Sequence, residues 1–266
     1  MQYTTLPRTD LEVSKICLGT MTFGEQNTEA EGHEQMDYAL DRGVNFFDTA
    51  ELYAIPPRAA TQGLTEQYIG TWFAQRKNRE RVILASKIVG PSPNLTYIRK
   101  PMGFEPEMIH EAVEGSLQRL QTDYIDLYQL HWPERSTNFF GKRGYRIGKD
   151  NRWTDNFHAV LETMQDLVRA GKIRYWGLSN ETPWGVNRCL HLSERHDLPR
   201  PRTVQIRTVY STGSTRSVCP KFRCARTSDC SPTRRSAWGC CRGNTTTTPP
   251  APKRAWCSSR KITRAI

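Results

Sequence analysis

The first 205 residues alternate between short apolar runs and longer segments in which apolar and polar positions are mixed. Runs rich in Val, Ile and Leu predict buried strands, whereas apolar residues three and four positions apart predict amphipathic helices. This order is typical of repeated βα units around a parallel sheet. The predicted strands are 13–19, 45–49, 82–87, 124–131, 173–180 and 203–205, and the predicted helices are 29–42, 64–76, 106–120, 157–170 and 183–196.

Two glycines and a polar turn mark boundaries between these elements. Gly43 and Gly171 directly follow two of the predicted helices, and glycine commonly ends a helix because it adopts positive φ without strain. Ahead of the first strand, residues 2–6 and 12–14 flank a polar turn at 8–10. We therefore expect a short hairpin there that covers the bottom of the sheet.

Six parallel strands fit either a doubly wound sheet or a (β/α)8 barrel that lacks two of its units. The first strand is not followed by the G-x-G-x-x-G motif of dinucleotide-binding doubly wound folds, which favours the barrel. We therefore expect an α/β fold, a (β/α)8 TIM barrel truncated after about six βα units and followed by an unstructured C-terminal tail.

Two of the predicted connections are long, at 89–104 after the third strand and at 133–156 after the fourth. Long loops at this end of a barrel usually shape a substrate pocket. The second loop is rich in aromatic residues, namely Phe139, Phe140, Tyr145 and Trp153.

The positive charge of the chain is confined to residues 206–266. The formal net charge is +11, yet this segment holds thirteen Lys and Arg against a single acid, Asp229, and it holds six of the eight cysteines. Residues 1–205 are close to neutral, so the charge does not indicate a nucleic-acid-binding barrel. The chain divides into an incomplete barrel at 1–205 and a basic tail rich in Cys, Arg, Ser and Thr at 206–266.

The sequence supports neither a signal peptide nor a membrane span. Residues 1–10 lack an apolar core, and no run of about 18 apolar residues occurs. Two scattered cysteines in the barrel, Cys17 and Cys189, suit a reducing compartment. We expect a cytoplasmic protein with no membrane and no nucleic-acid partner, and the sequence assigns no oligomeric state.

Three successive predicted strands end in residues with useful chemistry, Asp48, Lys87 and His131. The C-terminal ends of parallel strands meet at one edge of a barrel, so these side chains should face one another. A buried lysine is costly unless it is paired, and Asp48 is the natural counter-charge for Lys87. Tyr53 lies five residues past Asp48, and an ammonium beside a tyrosine makes the phenol a better proton donor.

Each of these residues also has an ordinary structural explanation. Asp48 could cap a helix, Lys87 could be solvated, Tyr53 could lie on the rim, and His131 could be a hydrogen-bonded histidine at a strand end. Their occurrence on consecutive strands favours one shared site over four separate coincidences.

Several segments resemble the signatures of the aldo-keto reductase family. They are FDTAELY at 47–53, ASK at 85–87, DLYQLHWP at 126–133 and GLSN at 177–180. The segment LGTMTFGE at 18–25 and the insertion from PPR at 56–58 to QGLTE at 62–66 are similar to the bacterial Tas-type branch of that family. The resemblance covers nearly all of residues 1–205.

The resemblance implies NADPH-dependent reduction of aldehydes or ketones to alcohols, with a small-molecule carbonyl substrate and no metal. It implies that Tyr53 is the general acid, that Lys87 is its partner, that Asp48 anchors Lys87, and that His131 orients the carbonyl oxygen. The residues implied to contact NADPH (NADP+) are Gly19, Thr20, Met21, Asp48, Ser179, Asn180 and Gln205. For Ser179 and Asn180, a helix cap before Pro183 is the alternative.

The resemblance stops after Gln205, where the family would continue through two more strands and closing helices. Residues 206–266 contain no Leu and no Glu and offer no periodic apolar face, so we expect them to be disordered. Back-translation of this segment in a frame shifted by one base restores family-like stretches such as NPYSLLNRFNE. We therefore hypothesise a single-base frameshift after Gln205.

A barrel truncated in this way should expose unpaired edges at its first and sixth strands and should be unstable. It should also bind NADPH weakly, because the family's phosphate contacts come largely from the missing part. The alternatives are a catalytically inactive cofactor-binding or interaction protein and a tail that binds zinc or nucleic acid. The tail cysteines match no common zinc framework and have no nearby histidine, which disfavours the last alternative.

Overall fold

A curled seven-stranded sheet lies at the centre of the computed structural model, which describes residues 1–139 and 153–206 and the backbone of 262–265. The sheet strands are β3 (Cys17–Gly19), β4 (Phe46–Asp48), β5 (Ile83–Ile88), β6 (Ile125–Leu130), β7 (Ile173–Ser179), β8 (Thr203–Ile206) and β9 (Ile262–Ala265). The helices of the described residues are α1 (Glu29–Asp41), α2 (Leu64–Arg76), α3 (Pro106–Leu120), α4 (Phe157–Arg169) and α5 (Pro183–His196).

The strands from β3 to β8 are parallel and follow one another in sequence order across the sheet. A helix separates each of these strands from the next, as parallel pairing requires. The edge strand β9 pairs antiparallel with β8. Five of the six predicted strands and the five predicted helices are confirmed, and the first predicted strand is confirmed only in its second part, β3. The six parallel strands form half of a barrel.

Local sequence explains where the helices begin and end. Thr28 and Glu31 form a reciprocal capping box at the start of α1, and Pro106 stands at the start of α3. Gly43 and Gly171 both adopt positive φ just beyond helix ends, as predicted. The buried face of α4 comprises residues at helical spacing, which are Phe157, Val160, Leu161, Met164 and Leu167.

The first predicted strand, at 13–19, was wrong as a single element. The structure divides it into β2 (Glu12–Ser14), which pairs antiparallel with β1 (Tyr3–Thr5), and the barrel strand β3. The chain bends between them, where the Ser14 hydroxyl donates to the Ile16 carbonyl oxygen at 2.6 Å. The predicted strand therefore spanned a point at which the chain changes direction, at Lys15 and Ile16.

The hairpin of β1 and β2 is confirmed, and it covers the lower end of the half-barrel. Leu11 and Val13 are buried against Phe46, Ala85 and Leu127, which lie on the inner face of the sheet. The lower end is therefore filled by apolar side chains, and the polar inward residues lie nearer the C-terminal ends of the strands.

Strand β9, near the C-terminus, pairs with a sheet edge that was expected to be open. The sixth barrel strand was expected to present an unpaired edge, but β8 pairs antiparallel with β9 from the far end of the chain. Antiparallel pairing satisfies backbone groups that would otherwise be open. The remainder of the predicted tail, including its six cysteines, lies outside the described residues.

The contact between α2 and α3 depends on a glycine. A Cβ atom at Gly70 would lie 2.2 Å from the Arg119 carbonyl oxygen, a backbone atom that cannot move aside. We expect Gly70→Ala to destabilise the fold by about 1–3 kcal/mol through overpacking, despite the helix propensity of alanine. Gly115→Ala on α3 is the control, because its Cβ would meet only the flexible end of Arg119 at 3.0 Å. Equal midpoints of urea unfolding for the two variants would contradict this packing account.

Candidate active site

A buried ion pair joins the ends of β4 and β5. The Lys87 ammonium donates to the Asp48 carboxylate at 2.9 Å and to the Thr49 carbonyl oxygen at 2.6 Å, and both side chains are almost fully buried. Burial lowers the pKa of Lys87, but the charges of Asp48 and Tyr53 and the hydrogen bonds with them outweigh it and raise that pKa. The lysine is therefore held as an ammonium, and the prediction that Asp48 and Lys87 lie together agrees with this geometry.

Tyr53 and His131 lie beside this ion pair. The Lys87 Nζ atom is 5.0 Å from the centre of the Tyr53 ring, and the Tyr53 and His131 rings meet edge to face with centroids 5.6 Å apart. The structure thus brings the candidate tetrad (Asp48, Tyr53, Lys87 and His131) to one place at the C-terminal edge of the sheet. A phenol beside an ammonium and an imidazole can donate a proton to an oxygen bound between them.

The turn after β3 lies against Asp48, the acidic member of the ion pair. Thr20 is fully buried, and its backbone N–H and its hydroxyl both donate to the Asp48 carbonyl oxygen, at 3.1 and 3.0 Å. Gly19 is the register partner of Asp48, and a Cβ atom added there would meet nothing within 4 Å. Met21 packs against the apolar residues around Tyr53. These three predicted cofactor contacts therefore line one side of the candidate tetrad.

The polar residues at the ends of β7 and β8 lie on the other side. The Asn180 amide donates to the Ser179 hydroxyl and to the His131 carbonyl oxygen, both at 3.0 Å, and the Ser179 hydroxyl is 3.4 Å from the Gln205 Oε1 atom. The Thr182 hydroxyl accepts from the Gly185 backbone N–H, so Thr182 caps α5. The cap of α5 is therefore Thr182, and not Ser179 or Asn180 as the alternative explanation had it.

Gln205 makes a contact that the sequence did not suggest. Its Nε2 atom donates to the Asp48 Oδ1 atom at 3.0 Å, so β8 is linked to β4 across the curled sheet. The two residues are 157 positions apart. No local pattern could have indicated this contact, because it depends on the curvature of the sheet.

We expect the substitution Gln205→Glu to destabilise the fold by about 1–3 kcal/mol or more, because it places a second buried carboxylate against Asp48. Gln205→Met, which removes the donor without adding charge, should cost about 1 kcal/mol. Chemical denaturation of both variants at neutral pH measures the difference. Equal losses for the two variants would show that Gln205 does not meet Asp48.

An apolar group of side chains, which we call the apolar cover, surrounds Tyr53. Its buried members are Ala50, Leu52, Val89, Leu95 and Trp132, and Met21, Ile55, Ile98, Met102 and Phe139 pack against them. As a result only 2% of Tyr53 and 5% of His131 is exposed. Both long loops contribute side chains to this cover, whereas Phe140 and Tyr145 lie outside the described residues.

The base of the second long loop is held by two adjacent residues. Glu134 accepts from the Asn156 amide at 2.7 Å and from the Phe104 backbone N–H at 3.0 Å. Arg135 donates to the Glu181 carboxylate and lies 4.7 Å from the Trp184 ring centre. The loops after β5 and β6 and the start of α5 are therefore tied together around the site.

Comparisons with known proteins agree with this geometry. The model of the aldo/keto reductase family matches residues 15–213. The protein Tas of Escherichia coli strain K12 is 54% identical over 211 residues, which are 77% of this chain and 59% of Tas. The uncharacterized oxidoreductase YrpG of Bacillus subtilis is 42% identical over 186 residues, covering 69% of this chain and 51% of YrpG.

A solved structure shares the architecture. The holo form of the aldo-keto reductase AKR11C1 from Bacillus halodurans superposes with a TM-score of 0.58 at 30% identity, over 78% of this chain and 58% of that one. The expected TIM-barrel type of fold, present here as a half-barrel of six parallel strands, and the resemblance to the Tas-type branch are confirmed. This chain spans about three fifths of the length of Tas. Within the described residues, no helix combines the length and the apolar character that crossing a membrane requires.

Proposed function

Because the chain belongs to the aldo/keto reductase family, we propose that its site reduces an aldehyde or a ketone to the alcohol with NADPH. The observation that carries this proposal is the buried contact of Lys87 with Asp48, placed directly beside Tyr53 and His131. A charged pair at a strand end beside a phenol and an imidazole suits acid catalysis better than it suits stability alone.

Each member of the candidate tetrad has a separate task in the proposed reaction. Tyr53 donates its hydroxyl proton to the carbonyl oxygen, and the ammonium of Lys87 stabilises the phenolate that remains. Asp48 keeps Lys87 charged and fixed, and His131 orients the carbonyl oxygen by a hydrogen bond. The apolar cover excludes water from these steps, which strengthens every charge interaction among them.

The residues at the ends of β7 and β8 fit the nicotinamide of NADPH. Ser179, Asn180 and Gln205 combine hydroxyl and amide groups within hydrogen-bond distance of one another, and a carboxamide needs both donors and acceptors. NADPH, when bound, supplies the hydride that adds to the carbonyl carbon. Gly19 leaves open space beside Asp48, which allows a flat ring to approach the backbone.

The proposal is tested by measuring NADPH binding and turnover side by side on the purified 266-residue chain. We expect aldehyde-dependent NADPH oxidation at millimolar NADPH and a dissociation constant weaker than the micromolar range, since phosphate-binding residues would lie beyond Gln205. Binding of NADPH without aldehyde-dependent oxidation would instead identify an inactive cofactor-binding protein. A micromolar dissociation constant would contradict the expected weak binding.

We further propose that residues 206–266 are read out of frame. What supports this is their composition, because this segment lacks Leu and Glu. In addition, codons compatible with residues 206–216 can be chosen so that the shifted frame reads as a family-like stretch. Deep sequencing of the DNA across the Gln205 codon tests it. Recovery of one additional base there would indicate a reading error, whereas an unchanged codon series with no family-like alternative frame would refute the proposal.

A further inference from the structure

A second buried ion pair lies within the turn that leads to Tyr53. The Glu51 Oε2 atom accepts from the Arg99 Nη2 atom at 2.7 Å, and Glu51 and Arg99 are 1% and 7% exposed. The other carboxylate oxygen, Oε1, accepts from the Val89 backbone N–H at 2.6 Å. None of the steps described above uses either of these charged side chains.

Glu51 holds the tetrad-bearing segments by its backbone as well. Its N–H donates to the Lys87 carbonyl oxygen at 3.2 Å, and its own carbonyl oxygen accepts from the Gln62 amide at 2.6 Å. Glu51 is two residues from Tyr53 in sequence. Glu51 therefore fixes the turn before Tyr53 against Lys87 and Val89, the two neighbours of Ile88 at the end of β5.

Arg99 connects this turn to the long loop at 89–104. Leu95 and Ile98, its neighbours in that loop, belong to the apolar cover around Tyr53. Because Arg99 lies in the middle of this loop and its side chain bonds to Glu51, the ion pair docks the loop where its apolar side chains cover the phenol.

Breaking the ion pair of Glu51 and Arg99 should be costly, because both charges are buried. Burial raises the pKa of Glu51, although the charge of Arg99 and the hydrogen bonds from Val89 and Arg99 oppose that shift. Among the described residues, the Arg99 Nε and Nη1 atoms have no hydrogen-bond acceptor, and the Glu111 carboxylate lies 3.5 Å from Nε. Separating the pair would leave the buried Glu51 carboxylate without its counter-charge and leave Arg99 only the exposed Glu111 carboxylate, a costly change.

We propose that Glu51 and Arg99 are positioning residues, which hold the loop at 89–104 onto the turn before Tyr53 and thereby fix Tyr53 and Lys87 for proton transfer. The proposal rests on the proposed function for its effect on turnover. Its structural part, the coupling of the loop to the Tyr53 turn, can be measured without turnover.

The experiment compares Arg99→Met, Arg99→Lys and Glu51→Gln with the control Glu111→Gln in the full chain. Glu111 is 65% exposed and near the same guanidinium, so its substitution removes a neighbouring charge without touching the Tyr53 turn. Steady-state kinetics at saturating NADPH separate kcat from KM, and amide hydrogen exchange reports peptides covering 50–54 and 89–104.

We expect Arg99→Met and Glu51→Gln to lower kcat by about 10- to 100-fold, since small displacements of reacting groups have effects of this size. KM should change less than kcat, Arg99→Lys should restore part of kcat, and exchange should accelerate in both peptides. Glu111→Gln should match the parent chain in each measurement.

A parent chain that turns over, with Arg99→Met within twofold of its kcat, would overturn the proposal. If the parent chain shows no turnover, the proposed function fails and exchange alone decides. Faster exchange in 50–54 upon Arg99→Met would then support the coupling, and exchange confined to 89–104 or unchanged in both peptides would refute it.

Discussion

Substitution of Tyr53 by phenylalanine should lower kcat for carbonyl reduction by about 10²–10⁴-fold, the range that a positioned proton donor contributes. The phenylalanine ring retains the edge contact with His131 and the position above Lys87, while the donating hydroxyl is lost. Stability should therefore change by less than about 1 kcal/mol. Initial rates of aldehyde-dependent NADPH oxidation, measured at equal protein concentration, give the comparison.

The control for this experiment is Tyr38→Phe, because Tyr38 lies on α1 and is 63% exposed. It removes the same hydroxyl from a surface tyrosine and should leave kcat unchanged. If Tyr53→Phe retained more than a tenth of the parent rate, another group would have to supply the proton, and the assignment of Tyr53 as general acid would be abandoned.

Substitution of Lys87 by methionine should have the largest effect on stability, about 3–5 kcal/mol, because it leaves the Asp48 carboxylate buried without its counter-charge. The Lys87 ammonium also donates to the Thr49 carbonyl oxygen, which would lose its partner. Turnover should fall as well, since the proposed phenolate of Tyr53 would lose its nearest positive charge. Urea unfolding at neutral pH measures the stability, with the parent chain as reference.

A double variant distinguishes charge from packing in this result. Asp48→Asn combined with Lys87→Met removes both charges, so it should recover much of the stability while remaining inactive. If the double variant were as unstable as Lys87→Met, lost packing would be the cause.

The pH dependence of stability gives an independent check on Lys87. The pKa of this residue is raised in the folded chain above its ordinary value of 10.5, so its charge stabilises the fold at neutral pH. That contribution is complete below the ordinary value and is lost as the pH rises through the raised value. The stability difference between the parent chain and Lys87→Met should therefore be constant near pH 7 and shrink above pH 10.5.

Most of the architecture follows from periodic patterns in the sequence. The predicted bounds of α2, α3 and α5 agree residue by residue with the structure. Pro106 and Pro183 mark the starts of α3 and α5, and both helices have a clear apolar face. The division between β2 and β3 was missed, since only Ser14 and Lys15 separate Val13 from the apolar stretch that ends at Leu18. The sequence does not reveal where one strand ends and the next begins when both strands contain partly buried residues.

The candidate site was predictable where its residues end neighbouring strands. Asp48 and Lys87 pair because parallel strands place their C-terminal ends side by side, which a strand assignment already implies. The bonds from Gln205 to Asp48 and from Arg99 to Glu51 were not predictable. Both depend on how a sheet curls or a long loop returns, and the sequence contains no periodic signal for either.

Asp48 and Lys87 lie on β4 and β5, and His131 directly follows β6, the next strand along the chain. This order has a consequence during synthesis. At 5–20 residues per second, a ribosome makes the stretch from Asp48 to His131 in roughly 4–17 s. The ion pair between β4 and β5 can therefore form while residues after Gln205 are still untranslated. If residues 206–266 are out of frame, as proposed above, cellular quality control would meet a nascent chain in which β4 and β5 are already paired.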